Sequence, residues 1–140
     1  MTLHDLEGTT WTGRAELWLD KLGNEAELCD CTLAVAADAL TYEWSYKGAP
    51  QTGRLALRAD GADFSDSWHS PTAIACAAAA APWALIDVLG TFSAGDGPDW
   101  GWGITLAHRP ESDELVLQMT VIKPSGEHGR AVRMIAQRVK

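Results

Sequence analysis

The sequence predicts an all-β protein: one closed, up-and-down antiparallel β-barrel of about eight to ten strands, formed by residues 1–140 as a single domain. Three observations lead there. Apolar and polar residues alternate with period two along most of the chain. Turn residues recur between the alternating segments, with 13 Gly and 6 Pro spread along the chain rather than clustered. The segments follow one another through short connections, so each is expected to pair with its neighbour. A meander this long leaves two exposed edges unless it curls shut, and closure removes them.

The first segment, Thr9 to Leu19, sets Trp11, Gly13, Ala15, Leu17 and Leu19 against Thr12, Arg14, Glu16 and Trp18. That is a strand with a buried side and a wet side, Trp18 being the exception. Lys21-Leu22-Gly23-Asn24 reads as a turn. Glu25 to Ala37 alternates Cys29, Cys31, Leu33 and Val35 against Leu28, Asp30 and Thr32. Leu40 to Lys47 is the clearest strand, with Leu40, Tyr42, Trp44 and Tyr46 on one face. Lys47-Gly48-Ala49-Pro50 reverses the chain, Gln51 to Arg58 returns, and Asp60-Gly61 is a hairpin signal.

Ala62 to His69 is the next strand, with Phe64, Asp66 and Trp68 on one side and Asp63, Ser65, Ser67 and His69 on the other. Pro71 to Ala81 carries helical spacing at Ile74, Ala77, Ala78 and Ala81, and alanine favours helix. A meander of hairpins leaves little place for a helix there, so the expectation is a strand. Trp83 to Phe92 is apolar on both sides and reads as a doubly buried strand. After the loop from Ser93 to Pro98, Trp100, Trp102, Ile104 and Leu106 share one face. Glu114 to Val121 turns Leu115, Leu117, Met119 and Val121 inward. The last segment, Ala131 to Val139, alternates imperfectly.

Composition narrows the partners. A hydrophobic fraction of 46% and a charged fraction of 21% belong to an ordinary globular chain. Nineteen acidic against 11 basic residues give a net charge of −8, which argues against nucleic acid and anionic membrane as partners. Met1 to Gly8 has neither the basic nor the apolar region of a secretory signal, and no apolar run is long enough to span a bilayer. Three cysteines, an odd number, do not make a disulfide framework. The expected location is the cytoplasm.

The opening Gly8-Thr9-Thr10-Trp11-Thr12-Gly13 resembles the start of calycin-type barrels, among them lipocalins, fatty-acid-binding proteins and nitrobindin-like haem proteins. In that resemblance the Trp closes one end of the barrel and the second glycine lets the strand bend. Asp66-Ser67-Trp68-His69, followed by Gly97-Pro98-Asp99-Trp100-Gly101-Trp102, is similar to a bacterial family of uncharacterised proteins with a lipocalin-like barrel. The Trp44-Ser45-Tyr46-x-Gly48 hairpin and the stretch from Met119 to Glu127 extend the likeness over nearly the whole chain. The resemblance implies the fold and no established activity. Nitrobindin-like proteins hold haem through a histidine near the barrel's end. The chain departs from that pattern, since His128 lies in or beside a turn, so haem enters only as a cofactor the resemblance raises.

Three groupings bear on chemistry. Asp66, Ser67 and His69 are the residue types of a hydrolytic triad, but on a strand Ser67 and His69 share one face while Asp66 takes the other, and no nucleophile elbow is present. If the His69 face were the interior, its imidazole could meet a ligand or a haem iron. The apolar Phe64 and Trp68 favour the opposite face as interior, which makes Asp66 a buried polar group needing Arg133 or Tyr42 as partner. Cys29 and Cys31 lack the second close pair of a zinc site and read as small buried hydrophobes.

Non-enzymatic binding of a small hydrophobic or aromatic molecule inside the barrel is therefore the leading expectation. Its lining would be drawn from Trp11, Tyr42, Trp44, Tyr46, Trp100, Trp102, Leu117 and Met119, with Asp66, Trp68, His69 and Arg133 as further contacts. Two alternatives stand beside it. One is a structural or interaction protein with a packed barrel, in which Trp18 marks a homodimer contact. The other is a hydrolase-like enzyme acting through Asp66 and His69.

Overall fold

The computed structural model describes residues 1–20, 23–79 and 83–140. Ten strands follow in chain order: β1 (Thr10–Trp18), β2 (Ala26–Val35), β3 (Ala39–Tyr46), β4 (Ala49–Arg58), β5 (Gly61–Asp66), β6 (Ser70–Ala78), β7 (Ile86–Phe92), β8 (Trp100–Arg109), β9 (Glu114–Ile122) and β10 (His128–Arg138). Each pairs antiparallel with the next, and β10 closes on β1. The barrel is the expected one, and it is consistent with a calycin-like fold. Among the described residues no helix is long and apolar enough to cross a membrane.

Alternation sorts side chains as the pattern requires. Trp11, Ala15 and Leu17 of β1 point inward, as do Cys31, Leu33 and Val35 of β2 and Leu40, Tyr42 and Trp44 of β3. The alanine-rich segment is a strand through Ala78, with Ile74 and Cys76 inward and Ala73, Ala75 and Ala77 exposed. Its last residues, Ala80 and Ala81, lie outside the described residues, as do Lys21 and Leu22 of the first turn. The wall is tightly laddered almost everywhere. The seam between β6 and β7 is the exception: among the described residues the strands pair at Ala77 with Leu89 and Ala78 with Val88, and the Ala79 N–H donates to the Asp87 carbonyl at 2.8 Å.

Three expectations need correcting, and a fourth finds its explanation. The segment from Trp83 to Phe92 is not doubly buried: its strand starts at Ile86, and Leu89 and Trp83 are 46% and 82% exposed, because a barrel wall has nothing packed outside it. The strand expected over Ala62 to His69 stops at Asp66. Leu19 lies beyond β1 and is exposed. The imperfect alternation of the last segment has a physical cause, a β-bulge between Arg130 and Val132 that buries Ala131 and Val132 in succession.

One end of the barrel is closed by the chain's own start. A 3-10 turn, Leu3–Leu6, buries Leu6, and the Gly8 N–H donates to the Val35 carbonyl at 2.8 Å with φ of 83°, a conformation that favours glycine. The Trp11 indole N–H donates to Thr9 Oγ1 at 2.8 Å. The Arg138 guanidinium lies 4.8 Å from the centre of the Trp11 ring, and the His108 ring meets the same indole edge-on. Asp113 ties this layer together, 2.9 Å from His108 Nε2 and 3.0 Å from Arg138 Nε. The arrangement agrees with the role the resemblance implied for this Trp.

Gly13 permits the closure. A Cβ there would stand 1.9 Å from the Ile135 carbonyl oxygen and 2.6 Å from the Ala136 Cα on the closing strand. Both are backbone atoms with no rotamer to yield. Gly13→Ala is expected to lower stability by about 3 kcal/mol in urea unfolding. Gly97→Ala, where the added carbon meets nothing within 4 Å, should change it by less than about 0.5 kcal/mol.

Candidate functional site

The barrel buries one formal charge among its described residues, the carboxylate of Asp66, which is 2% exposed. A buried carboxylate must be supplied with donors, and β3 and the turn after β5 provide them. Tyr42 on β3 donates its hydroxyl to Oδ2. The backbone N–H groups of Trp68 and His69 donate to Oδ1 at 2.7 Å and 3.0 Å. The His69 imidazole brings Nδ1 to 3.3 Å from the same oxygen.

Local sequence explains each contribution. Lys47 and Gly48, both with positive φ, form the two-residue turn that fixes the β3–β4 register and sets Tyr42 opposite Gly53. Gly53 in turn faces Asp66 on β5. A Cβ at Gly53 would fall 2.0 Å from Tyr42 Cζ, so the missing side chain is the gap across which the phenol reaches the carboxylate two strands away. Asp66 then ends its own strand, since accepting two N–H groups from the residues just after it folds the chain into a turn.

That turn decides the chemistry of Ser67, Trp68 and His69. On an extended strand Ser67 and His69 would share a face; here the chain reverses, and His69 comes round to the side of Asp66. Ser67 points outward, where its hydroxyl donates to Gln51 Oε1 at 2.7 Å and accepts from the Thr52 N–H at 3.0 Å. Asp66 and His69 therefore meet, and Ser67 is not with them. The Asp66 partner named from sequence is found in Tyr42 and not in Arg133. Arg133 sits on β10 opposite Glu16 and Gln118, on the outer wall.

Around this pair the barrel end is aromatic. The His69 ring lies between Trp44, at 6.2 Å, and Trp102, at 5.3 Å. Trp102 stacks on Phe64 at 5.7 Å and takes Phe92 on its edge. Trp68, 45% exposed, packs edge-on against Trp44 at 5.7 Å and Tyr46 at 5.2 Å. Trp100 opens β8 nearby and is half-buried. Below them the interior is filled: Leu55, Phe64 and Leu117 are wholly buried, and Met119 is 1% exposed. The part of the predicted lining that solvent can reach is thus the aromatic end. Phe92 and Gly53 were absent from the expected set; the Lys47–Gly48 turn held the signal for Gly53, through the register it imposes.

Electrostatics follow the same geometry. Burial pushes the Asp66 carboxyl up, but the hydrogen bond and charge of His69, with the Tyr42 hydroxyl, outweigh it and hold the group below its ordinary value of 3.8. Burial first, then the neighbouring Asp66 charge, raises the Tyr42 phenol well above 10.0. Cys29, Cys31 and Cys76 are free thiols, and burial raises Cys31 to about 12, the behaviour of a small hydrophobe.

No three His, Cys, Asp or Glu side chains converge as a metal site among the described residues. Nor do the residues fit a haem inside the barrel. The packed interior offers no slot for a macrocycle: His69 is flanked by Trp44 and Trp102 with Nδ1 on Asp66, His108 is engaged by Asp113 and Trp11, and His128 is exposed at the start of β10. A recess of about 750 Å³ is an open groove on the outer wall of β2 to β5, lined by Thr32, Thr41, Glu43, Thr52 and Arg54. Trp18 has a partner within the chain, the Arg130 guanidinium 4.7 Å above its ring. No family model matches the chain, and no curated protein is significantly similar to it. The fold is compatible with ligand binding.

Tyr42→Phe leaves the buried carboxylate one donor short and is expected to cost about 1.5–3 kcal/mol at neutral pH. Because Asp66 titrates lower in the folded chain than in the unfolded one, its stabilisation is complete above about pH 4 and is lost as pH falls through the depressed folded value. Urea unfolding across the acid range should show Asp66→Asn with a shallower loss of stability than the unsubstituted chain. Parallel acid limbs would contradict the assignment.

Proposed function

We propose that this barrel is a non-enzymatic binder of a small planar aromatic or hydrophobic molecule, held at the aromatic end rather than deep in the lumen. One observation carries the reading: a half-exposed Trp68 stands over inward-facing rings, with the His69–Asp66 pair as the polar group among them. Small-molecule sites combine such apolar walls with a few placed polar groups. Flat rings recognise flat ligands through offset and edge contacts worth about 0.5–1.5 kcal/mol each beyond buried area. His69, oriented through Nδ1 by Asp66, keeps Nε2 facing away from the carboxylate as a polar contact.

Titration with N-phenyl-1-naphthylamine, followed by tryptophan quenching, tests this. Saturable binding at one equivalent is expected, weakened about tenfold or more in Trp68→Ala, a loss of about 1.4 kcal/mol. Trp83→Ala, removing an exposed indole far from the aromatic end, should bind as the unsubstituted protein does. Equal weakening by both variants, or no saturable quenching, would sink the reading.

A further inference from the structure

The three buried indoles of the interior are not treated alike. At the closed end Trp11 donates its N–H to Thr9. At the aromatic end the Nε1 atoms of Trp44 and Trp102 are buried and meet no acceptor among the described residues, although the two side chains are only 2% and 5% exposed. Leaving a buried donor unpaired costs about 1–3 kcal/mol. Two such donors flank one histidine, each ring within 6.2 Å of the His69 imidazole. The buried carboxylate of this end, Asp66, accepts instead from the Tyr42 hydroxyl and the Trp68 and His69 amides.

We propose that the molecule bound at the aromatic end carries carbonyl-type hydrogen-bond acceptors, received by the Trp44 and Trp102 indole N–H groups, and that it is a neutral planar ketone, quinone or fused-ring lactam. This rests on the binding role proposed above and specifies its ligand. Neutrality follows from Asp66. With His69 uncharged, an anion entering this end would face a buried carboxylate across a medium of low dielectric, where like charges repel far more than in water. A carbonyl oxygen supplies the lone pairs without that penalty. Access runs through Trp68, whose ring covers the edge of Trp44 while its own face is half open to solvent. Its side chain swings aside to admit the ligand and packs over it afterwards. The arrangement separates two tasks: Asp66 fixes the turn, and the indoles read the ligand.

Three probes of one ring system decide the matter: 2-acetylnaphthalene, 2-ethylnaphthalene and 2-naphthoate. Binding is followed by fluorescence, and by the indole N–H resonances of ¹⁵N-labelled protein. The ketone is expected to bind about tenfold tighter than the ethyl compound, as two neutral hydrogen bonds would give, and tighter than the carboxylate. It should move the Trp44 and Trp102 indole protons downfield and leave that of Trp11 in place. Trp102→Phe should reduce the ketone's advantage to about threefold or less while still binding the ethyl compound. Trp44→Phe should do the same; if either variant fails to fold, the resonances of the unsubstituted protein still decide. Equal affinity for ketone and ethyl compound would overturn acceptor recognition and leave the aromatic site standing. Tightest binding of the carboxylate would overturn neutrality. Failure of all three probes to bind would remove both this inference and the binding role beneath it.

Discussion

A carboxylate placed inside a hydrophobic barrel must be surrounded by donors or expelled, and the geometry of the aromatic end follows from how Asp66 meets that demand. The Tyr42 hydroxyl reaches it only because Gly53 withholds a side chain between them. The Trp68 and His69 amides reach it only because β5 stops and turns. Those two conditions place His69 beside the acid, turn Ser67 away from it, and lift Trp68 to the rim. A single buried charge thus organises residues from three strands and one turn.

The two ends of the barrel put similar residues to different uses. Each has an indole near a histidine and a carboxylate. At the closed end the indole and the imidazole have found partners: Trp11 has Thr9, and His108 shares Asp113 with the Arg138 guanidinium. With the chain's first turn packed against it, that end is a stopper. At the other end the acid is satisfied but the indoles Trp44 and Trp102 are not. Natural proteins rarely leave buried donors idle without a reason, and the contrast within one molecule makes the aromatic end stand apart.

Much of the wall was legible from alternation alone. A period of two has a single meaning on a barrel whose outside is wet, and the faces assigned to β1, β3, β8 and β9 are those found. The alanine segment was decided by its neighbours and not by its own propensity, which points to helix. Two of the departures share a cause: alternation holds only while the chain stays extended. Asp66 breaks it with a side-chain turn, moving His69 to the opposite face from the one a continuous strand would give. Arg130 and Val132 break it with a bulge. Trp83 and Leu89 misled because apolar residues on both sides of a strand do not require that both sides be covered. The hydroxyl–carboxylate contact of Tyr42 and Asp66 was among the alternatives open at the sequence level, since both lie on inward faces. The role of Gly53 needed the register.

A hoop is only as tight as its loosest stave. Nine of the junctions in this one carry five or more paired positions, whereas β6 and β7 share two. Partial opening costs least where the fewest ladder bonds must break, so spontaneous breathing of the wall concentrates at that junction. An opened hoop regains the two raw edges that closure had hidden, one of them flanked by exposed alanines, and such edges are templates for pairing with another chain. How readily the hoop opens is thereby set by how firmly Ala77, Ala78 and Ala79 hold Leu89, Val88 and Asp87.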